Sequence, residues 1–263
     1  MFLSLCVAWP AVHFQNKKKL VHKRCSKRAC NVKNQKASAK NSALIPWTPN
    51  FSSLLKQSRV EYISKSPYIL CIHDFLTDQE SEHLKQIAEP LLARSIVVGE
   101  QESQSTSSNR TSRSAFLHAV PSEIVTAIRK RAAGFVNTSI DNVEHLQVVH
   151  YKDSQRYDPH YDYFDRSLAS AKSVIGTQGQ RIATLLVYLN DVEPGAGGET
   201  IFPKVLDGLK IKPKKNMAVF WFNVLPNGKE DDRTLHGGLP IVSGEKWASN
   251  IWMRDPRLVQ PPA

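Results

Sequence analysis

The chain has 263 residues, 41% of them apolar, which is enough for one domain with a real core plus an extension. Its formal net charge is +11, but residues 1–60 hold 12 Lys and Arg and no Asp or Glu, while residues 61–263 hold 23 basic and 24 acidic side chains. The near-neutral body gives no strong nucleic-acid signal, and its single cysteine, Cys71, excludes an internal disulfide scaffold.

In chain order, the first element is a basic, acid-free arm, residues 1–60. Its opening, MFLSLCVAWPAV, is apolar but shorter than the roughly 20 residues that span a bilayer. The arm reads as a leader for an organelle or the secretory route, or as a basic tail on a chain that stays in the cytoplasm. Cys25 and Cys30 have no partner pair at zinc-finger spacing. Residues 15–58 are rich in Lys, Asn, Ser and Gln and are read as disordered or removed. Asn50, Asn109 and Asn137 stand in N-x-Ser/Thr triplets, which matter only on a secretory route. No later segment reads as transmembrane.

The body, residues 61–263, begins with an apolar strand in SPYILCIHDFLT. Thr77 and Glu80 form a T-x-x-E capping box, and Leu84, Ile87, Ala88 and Leu91 make the inward stripe of a helix that Pro90 bends or ends. RSIVVGE reads as a strand and ESQSTSSNRTSRS as a polar, mobile loop. A second helix is predicted from Ser122 to Phe135, with Ile124, Val125, Ile128 and Ala132 inward.

Then the texture changes. LQVVHY, RIATLLVYLND, GETIFP, LKIKPKKNMAVFWF, GGLPIV and KWASNIWM are short, β-branched and aromatic, with Gly, Pro and Asn between them. That pattern predicts an antiparallel sandwich or barrel. RIATLLVYLN is apolar on both alternations and should be a central strand. The expected fold is mainly β with packing helices: two helices outside a jelly-roll of about eight strands.

The chemistry centres on YDPHYDYFD. In a strand, His160 and Asp162 project to one face. Among the other histidines, His73, His83 and His118 are read in helix or loop contexts with surface or packing roles, and His145 and His150 lie near the first barrel strand. His236 precedes Gly-Gly in RTLHGGLPIVSGEKW, where a Ser243-Gly244 turn should fold two strands into a hairpin and bring Lys246 to the same cavity. Two His and one carboxylate on one face of a metal leave positions open, the donor set of non-haem Fe(II) oxygenases. A buried lysine beside them calls for an anion. There is no G-x-S-x-G and no Cys/His pair for a hydrolase.

The run from LQVVHY through HYDYF, GGET-x-FP and HGG…G-x-KW resembles the catalytic domains of prolyl 4-hydroxylases, Fe(II)- and 2-oxoglutarate-dependent dioxygenases with a double-stranded β-helix core. The resemblance spans about residues 66–256, with the core at about 143–256. It implies that His160, Asp162 and His236 ligate iron. It implies that Lys246 pairs with the distal carboxylate of 2-oxoglutarate, helped by the hydroxyls of Tyr151 and Thr200. Tyr157, Arg181, Trp252 and Glu144 match the peptide-substrate side, and the loop around Arg110 to Ser114 matches a segment that closes over the peptide. Two departures stand out. EPGAGGET carries one extra residue before Gly-Gly, and Arg254 occupies a position where the family often has His. The implied reaction hydroxylates peptidyl proline with O₂ and releases succinate and CO₂, with L-ascorbate rescuing oxidised iron. The alternatives are the same chemistry on a lysyl side chain or a nucleic-acid methyl group, and a silent jelly-roll that binds proline-rich partners. Trp247 is assigned to the core.

Overall fold

A computed structural model describes residues 48–95, 110–118 and 120–259. The arm up to residue 47, most of RSIVVGE and the first part of the polar loop lie outside the described residues. The strands are β1 (Arg59–Lys65), β2 (Tyr68–His73), β3 (Ala93–Arg94), β4 (Arg113–Phe116), β5 (Gln147–Tyr151), β6 (Tyr157–His160), β7 (Gln180–Tyr188), β8 (Thr200–Phe202), β9 (Leu209–Ile211), β10 (Ala218–Phe222), β11 (His236–Gly238) and β12 (Lys246–Asp255). The helices are α1 (Asp78–Ala88), α2 (Glu123–Phe135) and α3 (Ala169–Gln178).

Every pairing among these strands is antiparallel. An eight-stranded sheet runs β1-β2-β10-β7-β12-β5-β4-β3, and a four-stranded sheet runs β6-β11-β8-β9. Such a pair of antiparallel sheets enclosing a cavity is the expected jelly-roll. No helix among the described residues is long and apolar enough to cross a membrane.

The central strands of the major sheet are buried on both faces, and period-2 alternation decides which residue goes where. Leu70, Val148, Leu185, Phe220, Ile251 and Met253 face α1 and α2, where Leu84, Ala88, Val125, Ile128 and Ala132 meet them. Their neighbours Cys71, Val149, Leu186, Tyr188, Trp221 and Ala248 face the minor sheet, packing on Phe202, Ile211 and Ile241. This is why RIATLLVYLN, which forms β7, is apolar at every step: it sits between β10 and β12 with a layer on each side.

The helices follow their signals closely. Thr77 Oγ1 accepts from the Glu80 N–H, and the Glu80 carboxylate accepts from the Thr77 N–H. Glu80 also pairs with Arg131 of α2 at 2.7 Å, which ties the two helices together. Leu84 and Ala88 are buried as expected, but Leu91 is 45% exposed. The α-helix stops at Ala88, and Pro90 opens a 3-10 turn, Glu89–Leu91, that rotates Leu91 outward. Ser122 caps α2 through the Val125 N–H, and Ile124 is only half-buried.

Four features depart from the sequence reading. The body makes contacts upstream of residue 61: Asn50 caps a turn at Phe51–Ser53, and Phe51 packs edge-on against Phe135. His73 lies in β2 and pairs with Glu61, not in a helix or loop. The third helix, α3, was not foreseen, because only Ala171 and Ile175 of ASAKSVIGTQ are buried. The expected hairpin around Ser243-Gly244 is absent. Gly244 does turn the chain at φ +80°, but β11 belongs to the minor sheet and β12 to the major one, so the segment crosses between sheets.

Candidate active site

That crossing organises the site. β6 and β11 lie side by side in the minor sheet with His160 and His236 in register, so two imidazoles hang from one rung. Asp162 follows β6 by two residues. Its Oδ1 lies 3.7 Å from His160 Nε2 and its Oδ2 lies 3.5 Å from His236 Nε2. One donor atom from each of the three falls within 4.8 Å of the others, the only such His/Cys/Asp/Glu group found among the described residues.

The backbone sets the tautomers. His160 Nδ1 is 3.0 Å from the Asp158 carbonyl, and His236 Nδ1 is 3.0 Å from the Thr234 carbonyl. A carbonyl only accepts, so each Nδ1 carries the proton and each Nε2 lone pair points to the shared centre. Burial, reinforced by the neighbouring His236, lowers His160 to about 3, so it is neutral. Burial alone would raise Asp162, but His236, His160 and Arg181 outweigh it and hold the carboxyl below its usual value. Thr184 Oγ1 donates to Asp162 Oδ2 at 2.8 Å, and Asn223 Nδ2 donates to Thr184 Oγ1 at 3.0 Å. All three are buried, so the major sheet fixes the carboxylate's orientation. Neutral imidazoles and one ionised carboxylate fit Fe(II).

Deeper in the barrel, β12 begins with Lys246, 3% exposed. Its Nζ donates to the Gly198 carbonyl at 2.7 Å and lies 5.3 Å from the Tyr188 ring and 5.5 Å from the Tyr151 ring. No carboxylate comes within ion-pair distance of it among the described residues, and burial lowers it to about 7. Gly198 sits at φ +75°, and a Cβ there would come within 2.4 Å of Ile241 Cδ1, so glycine is required where the carbonyl turns to the lysine. Thr200 Oγ1 and the Tyr188 hydroxyl share a 2.7 Å hydrogen bond. A buried cation flanked by hydroxyls and lacking a counter-ion fits the distal carboxylate of a dicarboxylate.

Toward the mouth, Tyr157 stacks on His160 at 3.6 Å, with Arg110 over its ring at 4.5 Å. Arg181 lies 3.8 Å from the Trp252 ring and 4.7 Å from that of Phe164. A cavity of about 550 Å³ opens here, lined by His160, Asp162, Tyr157, Arg181 and Trp252 among others.

Glu144 is not a free acid on this side. Arg181 grips both its oxygens at 2.7 Å, and Arg254 Nε donates to Oε1 at 2.6 Å. Burial would raise Glu144, and the two guanidiniums overcome it. Arg254 points into this ion group and to the Gly179 carbonyl at 2.9 Å. Trp247 stacks on His150 at 3.9 Å and packs with the helix-side core.

The fold therefore brings His160, Asp162, His236, Lys246, Tyr151, Thr200, Tyr157, Arg181 and Trp252 around one barrel, with Glu144 at its margin. Sequence reasoning missed Tyr188, Thr184 and Asn223. The first two had a signal: they are the polar positions on the inward alternation of an otherwise apolar strand.

A model of the 2OG-Fe(II) oxygenase superfamily matches residues 146–254. Prolyl 4-hydroxylase 5 of Arabidopsis thaliana is 40% identical over 211 residues, covering 73% of this chain and 70% of its own length. Prolyl 4-hydroxylase subunit alpha-1 of Gallus gallus is 37% identical over 190 residues, 72% of this chain and 36% of that one. The crystal structure of a viral collagen prolyl hydroxylase from Paramecium bursaria Chlorella virus-1, in complex with 2OG, superposes with a TM-score of 0.56 at 33% identity, covering 73% of this chain and 98% of that one. The superfamily implies Fe(II) and 2-oxoglutarate. The chain belongs to the prolyl 4-hydroxylase family of the 2OG-Fe(II) oxygenases.

Proposed function

We propose that the protein hydroxylates proline within a peptide or protein, at the 4-position, using O₂ and converting 2-oxoglutarate to succinate and CO₂. The supporting observation is the convergence of the His160, Asp162 and His236 donors in one barrel with a buried lysine that has no counter-ion. The relatives at 40% and 37% identity, both named prolyl 4-hydroxylases, support the same reaction.

In this reading, His160 and His236 through Nε2, with the Asp162 carboxylate, hold Fe(II). Lys246 receives the distal carboxylate of 2-oxoglutarate, with Tyr151, Tyr188 and Thr200 around it. Bound iron would activate O₂, and 2-oxoglutarate would supply electrons for that activation as it is oxidised to succinate and CO₂. The chain supplies the rest. The Asn223–Thr184–Asp162 hydrogen-bond chain fixes the carboxylate, and the carbonyls of Asp158 and Thr234 fix the imidazoles. Lys246 sets the direction of the co-substrate by holding its far end. Tyr157, Arg181 and Trp252 wall the mouth, exclude water and seat the peptide around the target proline. Ascorbate serves to return oxidised iron to Fe(II).

The test is release of CO₂ from 2-oxoglutarate labelled at carbon 1, with Fe(II) and ascorbate, with and without proline-rich peptides. Release stimulated by peptide and abolished in both His160→Ala and Lys246→Ala is expected, together with 4-hydroxyproline in the product. Release that no proline peptide stimulates would remove the proposed substrate, and no release from folded, iron-loaded protein would remove the chemistry.

A further inference from the structure

A second cavity, of about 500 Å³, adjoins the first. Exposed Phe116 of β4 lines both, so it forms the saddle between them. The step from one to the other follows β12. Trp252 opens into the iron-side cavity and Arg254 into the second, and two residues along a strand span about 6.6 Å. Between them stands the Arg181–Glu144–Arg254 group, with Arg181 lining the first cavity and Glu144 and Arg254 the second.

The two cavities differ in chemistry. The first is aromatic around Tyr157, Tyr161, Tyr163, Phe164 and Trp252. The second presents His118, His145, Asp141, Thr177 and Gln178. The rings of His118 and His145 meet edge to face at 6.0 Å. Arg129 holds this wall in place, donating to the carbonyls of Ile140 and Val143 at 3.2 and 2.5 Å. The Glu144 N–H donates to the Trp252 carbonyl at 2.9 Å, which joins the wall to β12. A concave site of this size, with several polar groups on its wall, can hold a ligand.

We propose that this second cavity is a subsite for the polypeptide substrate. The extended chain that carries the target proline crosses Phe116 and lays its next few residues against His118, His145 and Asp141. The lining mixes these polar groups with Phe116, Val143 and Pro256, which suits the main-chain amides and small side chains of an extended chain. The enzyme therefore reads a stretch of chain on one side of the target. This inference rests on the proposed hydroxylation of a peptide.

The experiment compares a short peptide centred on proline with peptides lengthened by four Ser/Gly residues at one end or the other, using the full chain loaded with Fe(II) and 2-oxoglutarate. Lengthening at one end is expected to raise kcat/KM at least tenfold, mostly through KM. In an Asp141→Ala/His145→Ala double variant that gain is expected to shrink below threefold, while a Leu206→Ser control, exposed elsewhere, retains it. Both altered side chains are exposed, so folding is preserved. A photoreactive residue four positions from the target is expected to label the segment 141–145. No gain from either extension, or an equal gain in native and double-variant protein, would overturn the subsite. Hydroxylation of the short proline peptide, measured alongside, keeps the two readings apart. If it persists without a length effect, only the subsite fails; if it is absent, the reaction itself fails.

Discussion

The two faces of the major sheet are made from alternate residues of the same strands, yet they behave as different materials. The face toward α1 and α2 is mostly aliphatic and aromatic, with His150 and Ser249 as buried polar side chains on it. The face toward the minor sheet carries Lys246, Thr184, Tyr188 and Tyr151 among its apolar residues. Stability is concentrated on one side and chemistry on the other, and a one-residue slip of β7 or β12 would exchange them. The contrast extends to the elements themselves. β7 and β12 have 9 and 10 residues, whereas the strands of the minor sheet have 3 or 4.

Substitutions should separate the two faces, and the strongest should be at the donors. Asp162→Ala is expected to abolish turnover and iron binding, read by iron content and CO₂ release, while the thermal transition of the metal-free protein stays close to native. Two smaller changes should be comparable in energy but opposite in kind. Lys246→Ala removes the buried cation facing the co-substrate pocket and should weaken 2-oxoglutarate by roughly 100-fold, or about 3 kcal/mol. Leu84→Ala on the helix side should cost about 2–5 kcal/mol of stability, measured by urea unfolding, with KM for 2-oxoglutarate unchanged. If Leu84→Ala shifted KM as much as stability, the division between faces would be wrong. Thr184→Val, which removes the donor to Asp162, should lower iron affinity about tenfold.

The smallest effect is a pH dependence. Burial lowers Lys246 to about 7, so it is charged below that pH and loses its proton above it. A bound carboxylate favours the charged form and raises its pKa. Affinity for 2-oxoglutarate should therefore be flat below pH 7 and fall by up to about tenfold per unit as pH rises above 7. Calorimetry in buffers of different ionisation enthalpy should show proton uptake on binding at pH 8 and little at pH 6.

Much of this could be read before any coordinates. The capping box at Thr77, the stripe on α2 and the two-sided apolar run of β7 are local signals, and local physics decided them. The order His160, Asp162, His236, Lys246 was legible because donor types and spacing are written in the chain. The partners were not. That Thr184 would meet Asp162, or Tyr188 meet Thr200, depends on which strands face one another across the barrel. That Arg254 and Arg181 would share Glu144 depends on the register of β12 with β7. α3 escaped notice because a ten-residue helix with two buried side chains carries almost no periodic signal. The Gly244 turn was visible, but nothing in it says whether the next strand returns to the same sheet.

The rung that pairs His160 with His236 has a mechanical consequence. β6 and β11 are held by few backbone bonds, and their most closely placed side chains are the two that would share an ion. Iron would act there as a cross-link between neighbouring strands, a rivet in the weaker wall of the barrel. Loading the metal and ordering that wall would then be one coupled event. The chelated protein should be nicked by protease near Lys152–Arg156 well before the major sheet yields, and added Fe(II) should close that site without altering the helix-backed half.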